Sequence, residues 1–222
     1  MTVEKDKISW GIISTAQIGR EVFVPALRDT EHGEIVAVAG RDTARTSAFA
    51  ADLNIKETYN NYDHLLDNDS IDAVYLPLPN SMHEKWAVRA AERGKHIFCE
   101  KPLATTPAAA HRMLDAAKRN NVLLWEAMVF KYHPQTLRLQ SIIKDGIIGN
   151  PRHLQMRMSI NLARDDNIRW NYELGGGVLL DIGCYLITFA RWAAGSEPTH
   201  VAATWEIDKK YHVDRHMALL LT

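Results

Sequence analysis

Three groupings of polar side chains in this sequence have the types and spacings that chemistry needs. In residues 98–103 (FCEKPL) the tripeptide Glu100-Lys101-Pro102 closes a short apolar run. An ammonium held at such a point can bond a substrate hydroxyl and assist a neighbouring acid or base with its proton. The proline stiffens its approach, through a cis bond if one forms. The bare tripeptide is equally a common surface turn. In residues 175–191 (GGGVLLDIGCYLITFAR) Asp181 and Tyr185 stand four apart, on one helical face, among Leu179, Leu180, Ile182, Leu186, Ile187 and Phe189. A carboxylate and a phenol on so apolar a helix need partners. Either the two bond each other and hold a core together, or the tyrosine exchanges a proton at a carbonyl/alcohol centre while Asp181 orients substrate or phenol. In the second case hydride moves to or from a nicotinamide, and the protein supplies geometry and the proton path.

The third grouping is residues 11–20 (GIISTAQIGR), placed between an apolar run and a helix pattern. A G-x-G-x-x-G register would put Ser14, Ala16 and Gly19 at the glycine positions, so only one of the three is glycine. The turn Ser14-Thr15-Ala16, with Ile18 and Gly19 behind it, is either an ordinary strand-to-helix connection or the place where backbone approaches a cofactor diphosphate at a helix N-terminus. The next apolar run ends at Arg41, where the ribose-reading side chain belongs. An acidic residue there would accept from the 2′-hydroxyl of NAD, whereas arginine suits a 2′-phosphate. Arg45 shares the helical face of Arg41. The pair favours NADP over NAD, the alternative being two solvated surface arginines.

These groups need a scaffold, and the apolar periodicity supplies one. Runs at 8–13, 34–39, 73–76, 96–99 and 122–125 read as strands, the continuous ones as strands buried on both faces. Between them lie helix patterns: Ile18, Val22, Ala26 and Leu27; then Ala44, Ala48, Ala51 and Leu53 after Arg41-Asp42; then 83–93, with Ser81 as N-cap, Glu84 completing a capping box and Gly94 as the stop. Thr106-Pro107 opens a further helix in cap-then-proline order. Strand-helix alternation with short connections predicts a doubly wound parallel sheet over residues 1–128. From Phe130 the rhythm changes. His133-Pro134 opens a helix to about Lys144, 146–151 is a turn, and 152–161 (RHLQMRMSIN) partly alternates as a one-faced strand would. A long helix over 178–194 follows, and strands over 199–207 and 213–221 close a second, α+β domain at 129–222. The ending, 217–222 (MALLLT), reads as the middle of a sheet: either a partner covers it or the chain is a truncated version of something longer.

Composition narrows the class. The 222 residues are 46% apolar and 24% charged, with 26 Lys plus Arg against 27 Asp plus Glu. That balance leaves no broad basic field for nucleic acid or anionic membrane. Residues 1–7 lack an apolar export core, and no apolar run is expected to reach the roughly 20 residues of a bilayer span. Cys99 and Cys184 fit no zinc spacing and read as reduced thiols of a cytoplasmic protein, a single disulfide being the alternative. The ten histidines are scattered without ligand spacing, so no metal is expected.

Residues 11–19 (GIISTAQIG), 79–83 (PNSMH), 98–104 (FCEKPLA), 126–135 (EAMVFKYHPQ) and 175–185 (GGGVLLDIGCY) occur in this order at suitable separations. Together they resemble the Gfo/Idh/MocA oxidoreductase family, in particular its branch similar to dimeric dihydrodiol dehydrogenases and NADP-dependent D-xylose dehydrogenases. The resemblance spans essentially the whole chain. It implies a Rossmann domain followed by a domain with a large, mostly antiparallel open sheet, here incomplete. It makes Lys101 the catalytic lysine, puts Asp181 in the substrate pocket and makes Tyr185 the proton donor/acceptor, where many members carry histidine. It sets Asn80 and His83 near the nicotinamide and its ribose, counts Pro79, Glu100 and Lys101 among the cofactor-binding residues, and implies a homo-oligomer formed through the second-domain sheet. Ser14 and Ala16 depart from the usual glycines, Lys131 stands where arginine is common, and family members usually continue well past residue 222.

The expected activity is therefore NADP-dependent hydride transfer to or from a sugar or a cyclic vicinal diol, of the aldose 1-dehydrogenase or trans-dihydrodiol dehydrogenase type. The alternative is a non-catalytic dinucleotide-binding or regulatory paralogue, or an inactive truncated fragment. Of the remaining polar residues, His133 suits a cap better than catalysis, Glu126 a supporting bond, and Arg169 and Trp170 either packing or a sugar-facing loop.

Overall fold

In a computed structural model, which describes residues 7–162 and 166–222, the chain divides into two compact units, Met1–Ala127 and Met128–Thr222. The first unit is built on a parallel six-stranded sheet of order β3-β2-β1-β4-β5-β6. Its strands are β1 Ile8–Ile13, β2 Gly33–Ala39, β3 Glu57–Tyr59, β4 Ala73–Leu76, β5 His96–Cys99 and β6 Leu124–Glu126. The helices between them are α1 Val24–Arg28, α2 Thr43–Asp52, α3 Tyr62–Leu66, α4 His83–Glu92 and α5 Pro107–Arg119.

The continuous apolar runs have a direct structural meaning, because successive strand residues point to opposite faces. Ile13, Ala37, Ala39, Val74 and Leu76 face a core shared with Leu65 and Leu66 of α3, Trp86 and Ala90 of α4, and Met113 of α5. Their neighbours Ile12, Val38 and Tyr75 face a second core, closed by Phe23, Val24 and Phe49. Each fully buried aliphatic side chain stabilises the unit by roughly 1.5–3 kcal/mol before entropy is counted. Tyr75 stacks on Phe23 with ring centroids 4.1 Å apart. A Cβ on Gly11 would sit 2.7 Å from Leu65 Cδ2, so glycine lets α3 lie close to β1.

Most local signals act as read. Asp42 caps α2 by accepting from the Arg45 N–H (2.9 Å), and Thr106 caps α5 by accepting from the Ala109 N–H (3.2 Å) ahead of Pro107. The Ser81 cap does not form. The chain enters α4 through a 3-10 turn, Asn80–Met82, so the cap position is Met82, already helical and without a side-chain bond. Glu84 turns instead to Arg112 of α5. The first crossover helix begins as a π turn, Gly19–Phe23, just before Pro25, which has no N–H for the Glu21 carbonyl. Two small elements were not expected: β3 and α3, three and five residues long and too short to show a period.

The second unit contains a 3-10 turn Val129–Tyr132, α6 Pro134–Lys144, further 3-10 turns Ile168–Trp170 and Tyr172–Leu174, a π turn Leu179–Gly183 running into α7 Cys184–Ala194, and the antiparallel pair β7 Val201–Ile207 and β8 Asp214–Leu221. Residues 152–161 are not the strand their alternation predicts; among the described residues no neighbour pairs with them, and a ladder needs two sides. Val201, Trp205, Leu219 and Leu220 of the hairpin are exposed.

One expectation about length also fails. The segment Tyr172–Ala194 is long and apolar enough by length and composition to cross a membrane, with mean hydropathy 1.4 in its most apolar window. Its glycine triplet divides it, however. The continuous helix is five residues of π turn and eleven of α-helix, about 24 Å at 1.5 Å per residue, against a hydrocarbon core of about 30 Å.

Candidate functional site

Strand order 3-2-1-4-5-6 reverses between β1 and β4, which makes the carboxyl edge at those strands the natural ligand crevice of the first unit. Ser14 follows β1 there. Its φ of 134° lies where a side chain is rarely found, and two bonds hold it: Ser14 Oγ donates to the Pro77 carbonyl (2.9 Å) and accepts from the Ala16 N–H (3.2 Å). The turn thus takes the backbone shape usually given to glycine and ties itself to the chain leaving β4. Gly19 begins the π turn and packs under Phe49 and Tyr75. Thr15 and Ala16 are half-buried and Ile18 is exposed. Thr15 also approaches Gly40, where an added Cβ would run into Thr46 Oγ1.

Arg41, exposed just past β2, lies near enough to buried Tyr62 for its charge to act on the phenol. Burial raises the Tyr62 pKa, and the guanidinium offsets part of that rise. Arg45 is exposed on the first turn of α2. The edge therefore presents small residues ahead of a helical turn on one strand and a cation on the next, which suits an anion with two separated phosphate groups.

On the other side of the switch point, β5 delivers Glu100 and Lys101. The Lys101–Pro102 peptide is cis. Glu100 Oε1 accepts from the Tyr75 hydroxyl (2.6 Å), and Glu126 Oε1 accepts from the Leu103 N–H (2.8 Å). Pro79 and Asn80, after β4, form the entry to α4 and are half-buried. His83 opens α4. Its ring is fully buried, with Nδ1 2.9 Å from the Pro102 carbonyl and Nε2 2.9 Å from the Leu78 carbonyl, so it offers no face to a cofactor. Beside this loop Cys99 is buried, and burial pushes its thiol well above the ordinary range, helped by the charges of Glu100 and Glu126. It is not a nucleophile.

In the second unit Asp181 is buried and takes a 2.5 Å bond from Arg169 Nε. Arg169 is therefore a packing partner of the helix. Its carbonyl also accepts from the Gly177 N–H (3.0 Å). The glycine triplet has a separate reason at each position. Gly175 is left-handed at φ 76°; a Cβ on Gly176 would strike the Arg169 and Asn171 carbonyls; Gly177 has φ 109° and lies against the Asp214 carboxylate. Asp214, at the start of β8, accepts from the Leu179 N–H at 2.6 Å and so caps the helix from across the unit. Tyr185 is half-buried in the first turn of α7, its ring 6.1 Å from Phe130. Trp170 stacks on Tyr211 with centroids 5.0 Å apart, and His133 Nδ1 caps α6 by accepting from the Gln135 N–H (3.2 Å).

Each unit brings its own candidates together: Ser14, Arg41, Asn80, Glu100 and Lys101 at the edge of one sheet, Asp181 and Tyr185 on one helix. A depression of about 390 Å³ between residues 166–174 and the hairpin tip contains none of them. Among the described residues no group of three or more His, Cys, Asp or Glu is placed to hold a metal ion. Tyr62, Tyr75 and Asp214 support the site yet carry no sequence signal, since each acts on a residue distant in the chain.

Comparison with known proteins identifies the family. Residues 8–128 match the family model described as an oxidoreductase family with an NAD-binding Rossmann fold, and residues 136–222 match that of the GFO/IDH/MocA C-terminal domain. A D-xylose 1-dehydrogenase (NADP(+)) of Haloferax volcanii is 38% identical over 96% of this chain and 65% of its own length. A trans-1,2-dihydrobenzene-1,2-diol dehydrogenase of Xenopus tropicalis is 30% identical over 96% of the chain and 64% of its own. The crystal structure of a 3-ketoreductase from Actinomadura kijaniata, solved with NADP and TDP-benzene, superposes with a TM-score of 0.88 at 32% identity, over 97% of this chain and 66% of that one. The chain thus spans just under two thirds of the length of the curated relatives it matches.

Proposed function

The chain belongs to the GFO/IDH/MocA oxidoreductase family, and on that premise we propose that it carries out NADP-dependent hydride transfer to or from a CH–OH carbon of a sugar or a cyclic vicinal diol. One observation carries the reading: the Ser14 turn, Arg41 and Lys101 stand on the carboxyl edge of one parallel sheet, around its switch point. The residues present fit a phosphorylated dinucleotide. Ser14 holds the positive φ that lets backbone come close to a diphosphate, and Arg41, near Tyr62, suits a 2′-phosphate. When bound, the nicotinamide supplies or takes the hydride. What the chain supplies is a grip on the reacting hydroxyl. In the first unit Lys101 is the group suited to bond a substrate hydroxyl; in the second Tyr185 is the group suited to give or take a proton, and Asp181, held by Arg169, steadies the helix that bears the phenol. The named relatives are a D-xylose 1-dehydrogenase, a trans-1,2-dihydrobenzene-1,2-diol dehydrogenase and a 3-ketoreductase solved with NADP and TDP-benzene. A ring- or chain-borne hydroxyl beside further hydroxyls is the chemistry the first two share.

The test is a titration of the purified chain with NADPH and NADH, followed by nicotinamide fluorescence. NADPH should bind more tightly, and Arg41→Ala should weaken it about 10–100-fold, the value of one charge-assisted phosphate contact, while leaving NADH unchanged. A screen of aldoses and dihydrodiols follows. Equal loss for both cofactors would remove Arg41 from the 2′-phosphate. NADPH binding without turnover of any substrate would favour a cofactor-binding protein over an enzyme.

A further inference from the structure

We infer that His83 is a positioning residue that fixes the Lys101 loop to the Asn80 loop, rather than a group that touches cofactor. The inference rests on the oxidoreductase reading for its consequence, though not for its geometry. Leu78 leaves β4 and Pro102 leaves the end of β5, and these two loops carry Asn80 and Lys101. The His83 ring reaches both loops, with 2.9 Å from each ring nitrogen to one carbonyl. Carbonyl oxygens only accept, so the neutral ring, the form that burial favours, donates to one of the two and only packs against the other; protonated at Nδ1, it ties Pro102 to the helix that follows the Asn80 turn. The ring is rigid and fully buried, which sets the distance between the two carbonyls to a fraction of an ångström. Other bonds hold each loop to its own surroundings: Ser14 Oγ to Pro77, Tyr75 to Glu100, Glu126 to Leu103. His83 reaches from one loop to the other. Placement of an ammonium relative to a nicotinamide-facing amide needs that order of accuracy.

The two ring nitrogens can be separated by substitution. Asparagine places a donor near the Nδ1 position, toward Pro102, and glutamine places one near Nε2, toward Leu78; phenylalanine keeps ring shape and loses both. Amide hydrogen exchange of the cofactor-free chain is the first readout. His83→Phe should speed exchange in residues 80–83 and 101–104 by about tenfold or more, with the rest of the sheet unchanged. Of His83→Asn and His83→Gln, the one that keeps the donating nitrogen should exchange as the wild-type chain does, and the other should loosen as His83→Phe does. In folded His83→Phe the NADPH dissociation constant should rise at least about tenfold. Exchange that is unaltered in both segments, or raised uniformly across the unit, would overturn the inference, as would unfolding of all three variants, which would make His83 an ordinary core residue. Unchanged NADPH affinity alongside loosened loops would also overturn the positioning role. If the wild-type chain fails to bind NADPH, the oxidoreductase reading falls while the exchange pattern still decides the clamp.

Discussion

Replacing Arg169 by methionine tests whether the Asp181 carboxylate is held as a structural anion. Methionine keeps an apolar stem of similar length and removes only the cationic head. In the native chain Arg169 Nε lies 2.5 Å from Asp181 Oδ2, the carboxylate side chain being 12% exposed and the arginine 39%. Breaking a fully buried pair from one side costs about 3–5 kcal/mol, because the remaining charge is left without compensation. The exposure of Arg169 means that solvent already screens part of this interaction, which lowers the expected loss to about 1–3 kcal/mol. Asp181→Asn keeps an acceptor for the guanidinium and should cost about 1 kcal/mol. In the double variant no orphan charge remains, so its loss should fall short of the sum of the two single losses by at least about 0.5–1 kcal/mol. Urea unfolding followed by far-ultraviolet circular dichroism gives all four corners of the cycle, and repetition at 1 M salt should shrink the Arg169→Met effect. Additive losses, or an Arg169→Met chain as stable as wild type, would refute the anchoring of Asp181 and leave it available for direct work on substrate.

Three further outcomes follow from the geometry. Burial holds the His83 imidazole below its ordinary value, the carbonyl contacts and Glu100 pulling the other way less strongly. The unfolded chain then binds that proton more readily, so the His83 contribution to stability is complete above about pH 6.5 and is lost as pH falls from there toward the lower folded value. Urea midpoints between pH 8 and pH 5 should show this slope, and His83→Gln should flatten it; an unchanged slope assigns the acid sensitivity elsewhere. Gly177→Ala forces a Cβ into a φ of 109° and against Asp214, and should cost about 1–3 kcal/mol or more, whereas Gly146→Ala, at φ 70° with nothing within 4 Å, should cost on the order of 1 kcal/mol. Equal thermal shifts for the two would show that Asp214 yields freely. Thr106→Ala should lower stability by about 1 kcal/mol through loss of the α5 cap, and a loss below about 0.3 kcal/mol would mean that water replaces the hydroxyl.

What the sequence reveals divides along the length of the interactions involved. Ile12 and Ile13, or Val74 and Tyr75, announce a two-faced strand because both neighbours are apolar, and Thr106-Pro107 announces a helix start because the bond closes within three residues. Lys101 is likewise legible, since a strand end is a local fact. The expectations that failed involve partners far away in the chain. Residues 152–161 have a strand's alternation without a ladder, as pairing depends on a second segment. His83 has the composition of a site residue, and its two ring nitrogens face carbonyls from different loops. The Gly175-Gly176-Gly177 run signals a crowded backbone, but the crowding atoms belong to Arg169, Asn171 and Asp214, and no local pattern names them. Ser14 shows the converse case: a missing glycine weakens the motif on paper, while the side chain that replaces it is bonded in place.

The bond from the Leu179 N–H to Asp214 spans 35 residues of chain. A ribosome adding about 5–20 residues each second needs about 2–7 s to cover that stretch. Throughout this interval the helix of Leu179–Ala194 lacks its anionic cap, whereas Arg169 precedes Asp181 in the chain and is already synthesised. The two anchors of one helix are thus assembled in order, a local ion pair first and a distant carboxylate several seconds later. A chain that stopped between residues 182 and 213 would hold both members of the Arg169–Asp181 pair and lack the carboxylate that caps the same helix.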